Sequence, residues 1–341
     1  MEQNAFNRSS DNCFNLVRLL TAFQVMFGHL VDHLELQTSE IISCFVEYFR
    51  GVPIFFAMGG VLIWFSIDRT DRYSVYLKKR FFRIYPELWV GVLIEIVSIL
   101  FLYDEWNIKD IILFTFTQST VFQFWTPDSL RGYGCGTPNG ALWTICTLIQ
   151  FYIIAWFLYK LLHKKRMLFW ILVFVVCVAI STILQVVLED VVGIVVFTKL
   201  FDQSVVRYLW LFMVGIFISE FWNIVGHFLK KYWCVFLLLG MLFYITRIDV
   251  FVGYYLFWSV FMVCGVIGFA YQYPVLKIKI DISYACYIYH MIIVNIFIVF
   301  GCVKSWWFFF AIYILTCIIA YISTKSVGQL AMKYRKISIS K

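Results

Sequence analysis

The sequence has little charge: Asp, Glu, Lys and Arg make up only 14% of its 341 residues, whereas soluble domains carry about 25%. Hydrophobic residues account for 62% and aromatic residues for 21%. Apolar runs of about 20 residues, long enough to cross a bilayer core, recur from end to end. No polar stretch is long enough to bury a core of its own. The composition therefore excludes a soluble protein and indicates an integral membrane protein.

The sequence also lacks the motifs of phosphate-loop, zinc, dinucleotide and serine-hydrolase sites. Its 10 cysteines fall mostly inside the apolar runs, with no CxxC pair and no metal-ligand spacing, so we interpret them as small buried hydrophobes. The formal net charge of +8 comes from short basic clusters between apolar runs. We therefore expect no metal and no nucleic-acid partner, and we attribute the positive charge to membrane topology and contact with membrane lipids.

Hydropathy predicts a single domain over residues 1–341, folded as an all-α, polytopic transmembrane helical bundle of about ten spans. The predicted spans are residues 13–35, 45–66, 84–103, 141–162, 167–188, 205–222, 232–247, 250–271, 282–303 and 305–324.

The basic clusters predict the orientation of these spans. If the N-terminus is cytoplasmic, the clusters in 69–83, 164–166 and 230–231 and the basic C-terminal tail all lie inside, as the positive-inside rule requires. An even number of spans then returns the C-terminus to the cytoplasm. We therefore predict that both termini are cytoplasmic.

Residues 111–125, "IILFTFTQSTVFQFW", are apolar but short and rich in Thr and Gln. Counting them as a span would reverse the charge bias of every later loop, so we place them outside as a re-entrant or interfacial segment. The next stretch, 126–140, is the one dense in Gly and Pro, which is typical of an external loop.

The first predicted span, which includes "VRLLTAFQVMFGHL", carries Arg18 and His29 eleven residues apart. On an α-helix this spacing gives about 16 Å of rise and returns to within about 20° of the same face. Ionisable residues within spans are costly and usually functional, so the pair is interpreted as the two ends of one passage. In the alternative interpretation, Arg18 reaches the headgroups and His29 only hydrogen-bonds a neighbouring helix.

Arg80 and Arg83 share a helical face at the start of the third predicted span. Guanidinium groups suit phosphate oxygens and keep their charge when partly buried, so a phosphorylated ligand is one interpretation. The other is a cluster that sets topology and contacts anionic lipid.

Weaker candidates lie near these groups in sequence or at membrane depth. Asp32 and His33 follow His29 by three and four residues. Either could orient its imidazole, or both could be solvated at the outer surface. His290 and Glu95 lie mid-membrane in predicted spans. Both His290 and Glu95 can be interpreted as structural or as catalytic.

Five segments follow one another along the chain: the Arg18–His29 pair with its ten-residue gap, "GVPIFFAMGGVLI" at 51–63, "RFFRIYP" at 80–86, "ALWTICTLIQFYI" at 141–153 and "ISYACYIYH" at 282–290. Taken together and in this order, they resemble the acyltransferase 3 family, the bacterial membrane O-acyltransferases that include the O-antigen acetylases. Leu148 and Ile149 stand where many members have two glutamates, and Gly59 replaces a usual serine.

The resemblance implies transfer of an acyl group, most often acetyl, from cytoplasmic acyl-CoA to a sugar hydroxyl of a surface polysaccharide or its lipid-linked precursor, at the bacterial cytoplasmic membrane. Arg80, Arg83 and Arg18 would bind the CoA phosphates, and no metal is implied. His29, together with Arg18, would be catalytic, with His29 as general base or as the carrier of an acyl intermediate. Trp143, within the fourth matching segment, joins the weaker candidates for contact with substrate.

A transporter or flippase for a lipid-linked sugar or an acyl compound is the main alternative, because buried charges can also line a transport passage. A third interpretation is a non-enzymatic partner of a glycan assembly complex. It has little support, because such a partner has no need for a polar pair on one helical face. The sequence carries no prediction of oligomeric state.

Overall fold

The computed structural model describes residues 11–188, 194–247 and 254–340. Over these ranges the regular structure is helical and contains no β-strand, which confirms the predicted all-α class. The α-helices are α1 Phe14–His33, α2 Glu40–Tyr48, α3 Gly51–Asp68, α4 Tyr73–Leu102, α5 Ile108–Ser119, α6 Trp143–Leu162, α7 Met167–Val186, α8 Val195–Asp202, α9 Val205–Glu220, α10 Trp222–Thr246, α11 Tyr254–Gln272, α12 Ser283–Val299, α13 Trp306–Ser323 and α14 Gln329–Ser340.

In the described part of the chain, nine helical stretches are long and apolar enough to cross a membrane. The remaining predicted span, 282–303, contains α12, which is apolar but only 17 residues long. Each of the ten predicted spans thus contains an apolar helix, and the polytopic bundle is confirmed. Of the predicted span 250–271, residues 250–253 lie outside the described ranges.

The boundaries differ from the predictions where the helices carry charge or break. α4 begins at Tyr73, eleven residues before the predicted start, because Lys and Arg are good helix formers and continue the helix beyond its apolar part. The predicted span 45–66 is divided between α2 and α3. The tail after the last span forms α14, again through residues of high helix propensity.

Of the segment 111–125, which we placed outside the set of spans, residues 111–119 belong to α5, a helix of 12 residues, and the rest follow it as turn and coil. At 1.5 Å per residue it is about 18 Å long, shorter than the hydrocarbon core of about 30 Å. Its length therefore agrees with a segment that does not cross the bilayer. A 3₁₀ turn at Asp128–Gly132 and another at Gly140–Leu142 punctuate the Gly- and Pro-rich loop that follows.

The chain divides into two compact units, each built from separate segments. The first unit comprises Met1–Arg18, Tyr48–Tyr73 and Thr147–Lys279. Its helices α3 and α9 approach to backbone contact: a Cβ on Gly215 would lie 1.9 Å from the carbonyl oxygen of Ala57, and one on Gly60 would lie 2.3 Å from that of Phe212. Small residues at a helix crossing are what close packing in a membrane needs.

The second unit comprises Leu19–Glu47, Ser74–Cys146 and Ile280–Lys341. Its central element is α12, whose residues are buried almost without interruption from Ser283 to Asn295. α1 packs on α13, where Phe27 and Phe309 meet edge to face with ring centroids 5.4 Å apart. α4 packs on α12, where a Cβ on Gly91 would lie 2.3 Å from the Ile288 side chain.

Candidate active site

Two histidines from distant parts of the sequence meet within the second unit. Nδ1 of His29, on α1, lies 2.9 Å from Nε2 of His290, on α12. The two ring planes are 16° from parallel and their centroids are 5.1 Å apart. His290 is fully buried and His29 is half-buried. The contact gives His29 a fixed neighbour that is an imidazole and not an acid.

The backbone of α12 determines which nitrogens carry protons. Nδ1 of His290 lies 2.9 Å from the carbonyl oxygen of Tyr287 and 3.2 Å from that of Cys286. A carbonyl oxygen only accepts, so this nitrogen donates. With both rings neutral, Nε2 of His290 is then an acceptor and Nδ1 of His29 is its donor. The lone pair of His29 is thereby placed on Nε2, where it can take a proton.

The Gly- and Pro-rich loop 126–140 is fixed to the same helix. Asn295, fully buried on α12, accepts a hydrogen bond at Oδ1 from the backbone N–H of Cys135 at 2.8 Å. Its Nδ2 donates to the carbonyl of Thr137 at 3.2 Å and also to that of Pro138. Asn139 donates from Nδ2 to the carbonyl of Ile288 at 3.1 Å. The loop therefore covers the part of α12 that carries His290.

The close approach of this loop requires glycine at position 134. Gly134 has a φ of +58°, and a Cβ there would lie 2.1 Å from Oδ1 of Asn295. The loop also carries Cys135, the thiol nearest to these contacts. Burial raises the pKa of the Cys135 thiol, which makes this side chain a poor source of the thiolate that nucleophilic catalysis needs.

The start of α6 is joined to α12 by Tyr287. The Tyr287 hydroxyl lies 2.6 Å from Oγ1 of Thr144 and donates to the carbonyl oxygen of Ala141. Trp143, the first residue of α6, lies between these two partners in sequence and is half-buried.

The arginine pair lies in the same unit, within α4 and not at its start. The Arg80 guanidinium is placed over the Tyr76 ring, 5.4 Å from its centroid. Arg83 has a side chain 47% exposed, and its Nη2 lies 3.8 Å from a carboxylate oxygen of Asp281. Arg83 is thus accessible and Arg80 is half-buried, and a cation–π contact and an acid hold the two side chains in place.

α12 carries both His290 and a contact with α4 beside Arg83. The Tyr284 hydroxyl donates to the carbonyl of Ile84, one residue after Arg83, at 3.0 Å. His290 follows Tyr284 by six residues, which is about 9 Å of helical rise. The contact beside Arg83 and the histidine pair are therefore about 9 Å apart along α12.

Glu95 is fully buried on α4, twelve residues after Arg83. Neither of its carboxyl oxygens has a hydrogen-bond partner among the described residues. A buried polar group without a partner is costly, and this one lies in the same unit as the histidine pair.

The other predicted residues take different positions. Asp32 is exposed, and the ring of His33 lies 6.0 Å from that of His29, so neither replaces His290 as the hydrogen-bond partner that orients His29. Arg18 belongs to the first unit, where it donates to Oδ1 of Asn15. The helix Phe14–His33 carries Arg18 and His29 without a break, as predicted.

Sequence reasoning did not find the partnership of His29 with His290, nor the roles of Asn295 and Tyr287. A run of buried polar and aromatic residues on one short apolar helix was the available signal for all three. In the described ranges, no three His, Cys, Asp or Glu side chains are grouped so that they could hold a metal ion.

The chain is similar to known acyltransferase proteins over nearly its whole length. A family model described as an acyltransferase domain matches residues 11–325. Nodulation protein 10 of Rhizobium leguminosarum bv. viciae is 25% identical to the chain over 357 residues, in an alignment that covers 95% of the chain and 94% of that protein. No solved structure matches the chain significantly.

Proposed function

Because the chain belongs to the acyltransferase 3 family of membrane acyltransferases, we propose that it is an O-acetyltransferase that uses cytoplasmic acetyl-CoA. The acceptor is a sugar hydroxyl of a surface polysaccharide or of its lipid-linked precursor, and the enzyme resides in the bacterial cytoplasmic membrane. The observation that carries the proposal is the hydrogen bond between His29 and His290, which leaves Nε2 of His29 as a base.

The donor would bind through its phosphates at Arg80 and Arg83. Guanidinium groups form paired hydrogen bonds with phosphate oxygens, and the exposure of Arg83 leaves it accessible to a ligand. The pantetheine arm of acetyl-CoA would then carry the thioester to the histidine pair, about 9 Å further along α12. The charged part of the donor would then lie at the arginines and its reactive carbon beside His29.

The reaction proceeds by direct transfer. The acceptor hydroxyl gives its proton to Nε2 of His29 as its oxygen attacks the thioester carbonyl. His290 accepts the hydrogen bond from Nδ1 of His29 and holds the imidazolium that forms. The intermediate collapses with loss of the CoA thiolate, which takes the proton back from His29. One ester bond forms, one thioester bond breaks, and free CoA is released.

The test is measurement of ester-linked acetyl groups on purified surface glycan from cells with and without the gene, and from cells carrying His29→Ala. We expect acetate in the wild type, none in the deletion strain and none in His29→Ala at equal membrane abundance. His227→Ala, which removes a histidine from the first unit, is the matched control and should keep full acetylation. Normal acetylation by His29→Ala would contradict the proposal, and glycan that is acetylated without the gene but not exported would favour a transporter.

A further inference from the structure

The C-terminal helix α14 lies against the part of α4 that carries the arginine pair. Nζ of Lys78 donates to the carbonyl oxygen of Ser338 at 3.3 Å. Lys78 precedes Arg80 by two residues, and both ends of this contact belong to the second unit. The basic C-terminal tail therefore contacts α4 two residues before Arg80.

Arg335 is the residue of α14 that extends this surface. It precedes Ser338 by three residues, which is about one helical turn, and it is half-buried. The positive charges of Arg83 and Arg80 both act on its guanidinium. Three guanidinium groups from two helices are thus gathered in one region.

Neighbouring guanidinium groups repel one another. Asp281 contributes a negative charge to this region, 3.8 Å from Arg83. Like charges repel at short range, and arginine does not lose its proton to relieve the repulsion. A ligand that carries several phosphate groups would relieve it, because each phosphate can take charge-assisted hydrogen bonds from a separate guanidinium.

We propose that Arg335 is a third phosphate-binding residue of the acyl-CoA site and acts together with Arg80 and Arg83. The assignment rests on the proposed function, which supplies the donor. Coenzyme A carries a 5′-diphosphate and a 3′-phosphate on its adenosine, so it offers more phosphate groups than two arginines can engage in paired bonds. The C-terminal helix then serves donor binding and is more than a topological anchor.

The experiment measures CoA binding to the purified full-length chain in nanodiscs of zwitterionic lipid, by titration of tryptophan fluorescence. Loss of one charge-assisted hydrogen-bonded pair corresponds to about tenfold or more in affinity. We therefore expect Arg335→Gln to weaken CoA binding by about tenfold or more. Lys333→Gln removes the same charge from an exposed position of the same helix and should leave CoA affinity unchanged.

Two further measurements distinguish binding of CoA by Arg335 from contact of Arg335 with lipid phosphate. The wild type and Arg335→Gln are compared for association with phosphatidylglycerol vesicles, which present lipid phosphate. If Arg335→Gln binds CoA like the wild type but loses vesicle association, the residue contacts lipid and the assignment is overturned. Arg335→Lys keeps the positive charge but loses the planar guanidinium fork, so this variant should bind CoA more weakly than the wild type. It provides a test even if Arg335→Gln fails to insert into the membrane. Wild-type CoA affinity of Arg335→Lys would overturn the assignment.

The outcomes also distinguish this assignment from the proposed function itself. If the double variant Arg80→Gln, Arg83→Gln loses CoA binding while Arg335→Gln does not, the donor site stands and Arg335 is excluded from it. If the wild type binds no CoA at all, the proposed donor is wrong.

Discussion

Replacing His290 tests whether this side chain positions the catalytic base or only fills the core. In His290→Ala, Nδ1 of His29 loses the acceptor that lies 2.9 Å away, and nothing then favours the tautomer with its lone pair on Nε2. Leaving a buried donor without a partner costs about 1–3 kcal/mol. At about 1.36 kcal/mol per factor of ten, this corresponds to a fall in kcat of about 5- to 150-fold.

The conservative variant distinguishes positioning from packing. In His290→Gln, the side-chain amide oxygen can occupy nearly the place of Nε2 and accept from Nδ1 of His29. We therefore expect His290→Gln to keep kcat within a few fold of the wild type, while His290→Ala does not. Removing His29 itself should cost more, because general base catalysis contributes about 10²- to 10⁴-fold.

The assay is acetyl transfer from radiolabelled acetyl-CoA by membranes with matched amounts of each variant, analysed as separate kcat and KM values. KM for acetyl-CoA should stay constant across the His290 variants, since the proposed donor-binding arginines lie beside a contact about 9 Å away along α12. His33→Ala is the control, because its ring is near His29 but 6.0 Å from it between centroids. The reasoning is refuted if His290→Ala keeps wild-type kcat, or if His290→Gln is as inactive as His290→Ala.

Two other substitutions test the surroundings of the pair. Glu95→Met should raise the free energy of unfolding by about 1–3 kcal/mol, because it removes a buried carboxyl without partners; a lower melting temperature in detergent would contradict this. Gly134→Ala should expose the loop 126–140 to protease and lower acetyl transfer, because its Cβ would collide with Oδ1 of Asn295. Gly301→Ala is the matched control, since Gly301 also has a positive φ of 71° but has open space around it; equal protease sensitivity in both variants would show that backbone strain alone is responsible.

The helices could be predicted from sequence because a bilayer imposes a single simple requirement on them. A span needs about 20 apolar residues, and such runs are visible without knowledge of any contact. The same criterion misses helix that extends into water, which is why the start of α4 and all of α14 were not predicted. These charged extensions carry Arg80, Arg83 and Arg335.

The pairing of His29 with His290 could not be predicted, because periodicity gives the face of a helix but not the neighbouring helix that this face contacts. His29 and His290 are 261 positions apart in the chain. Asp32 and His33 were natural candidates to orient His29 because they lie one turn away on the same helix. The structure instead supplies the orienting group from α12, whose own carbonyl groups fix the proton of His290.

A neutral partner suits a base that works inside a membrane protein. A carboxylate beside His29 would orient it equally well, but a buried charge costs several kcal/mol unless other groups pair with it. His290 avoids this cost, because the carbonyl oxygen of Tyr287 takes its Nδ1 proton and its Nε2 remains free to accept. With both rings neutral, the pair carries no charge at rest, and in the proposed reaction charge would appear only when His29 takes the acceptor proton. The oxyanion formed from the thioester would then lie beside the new imidazolium, so attraction between the two would be greatest in the transition state, where it would accelerate the reaction.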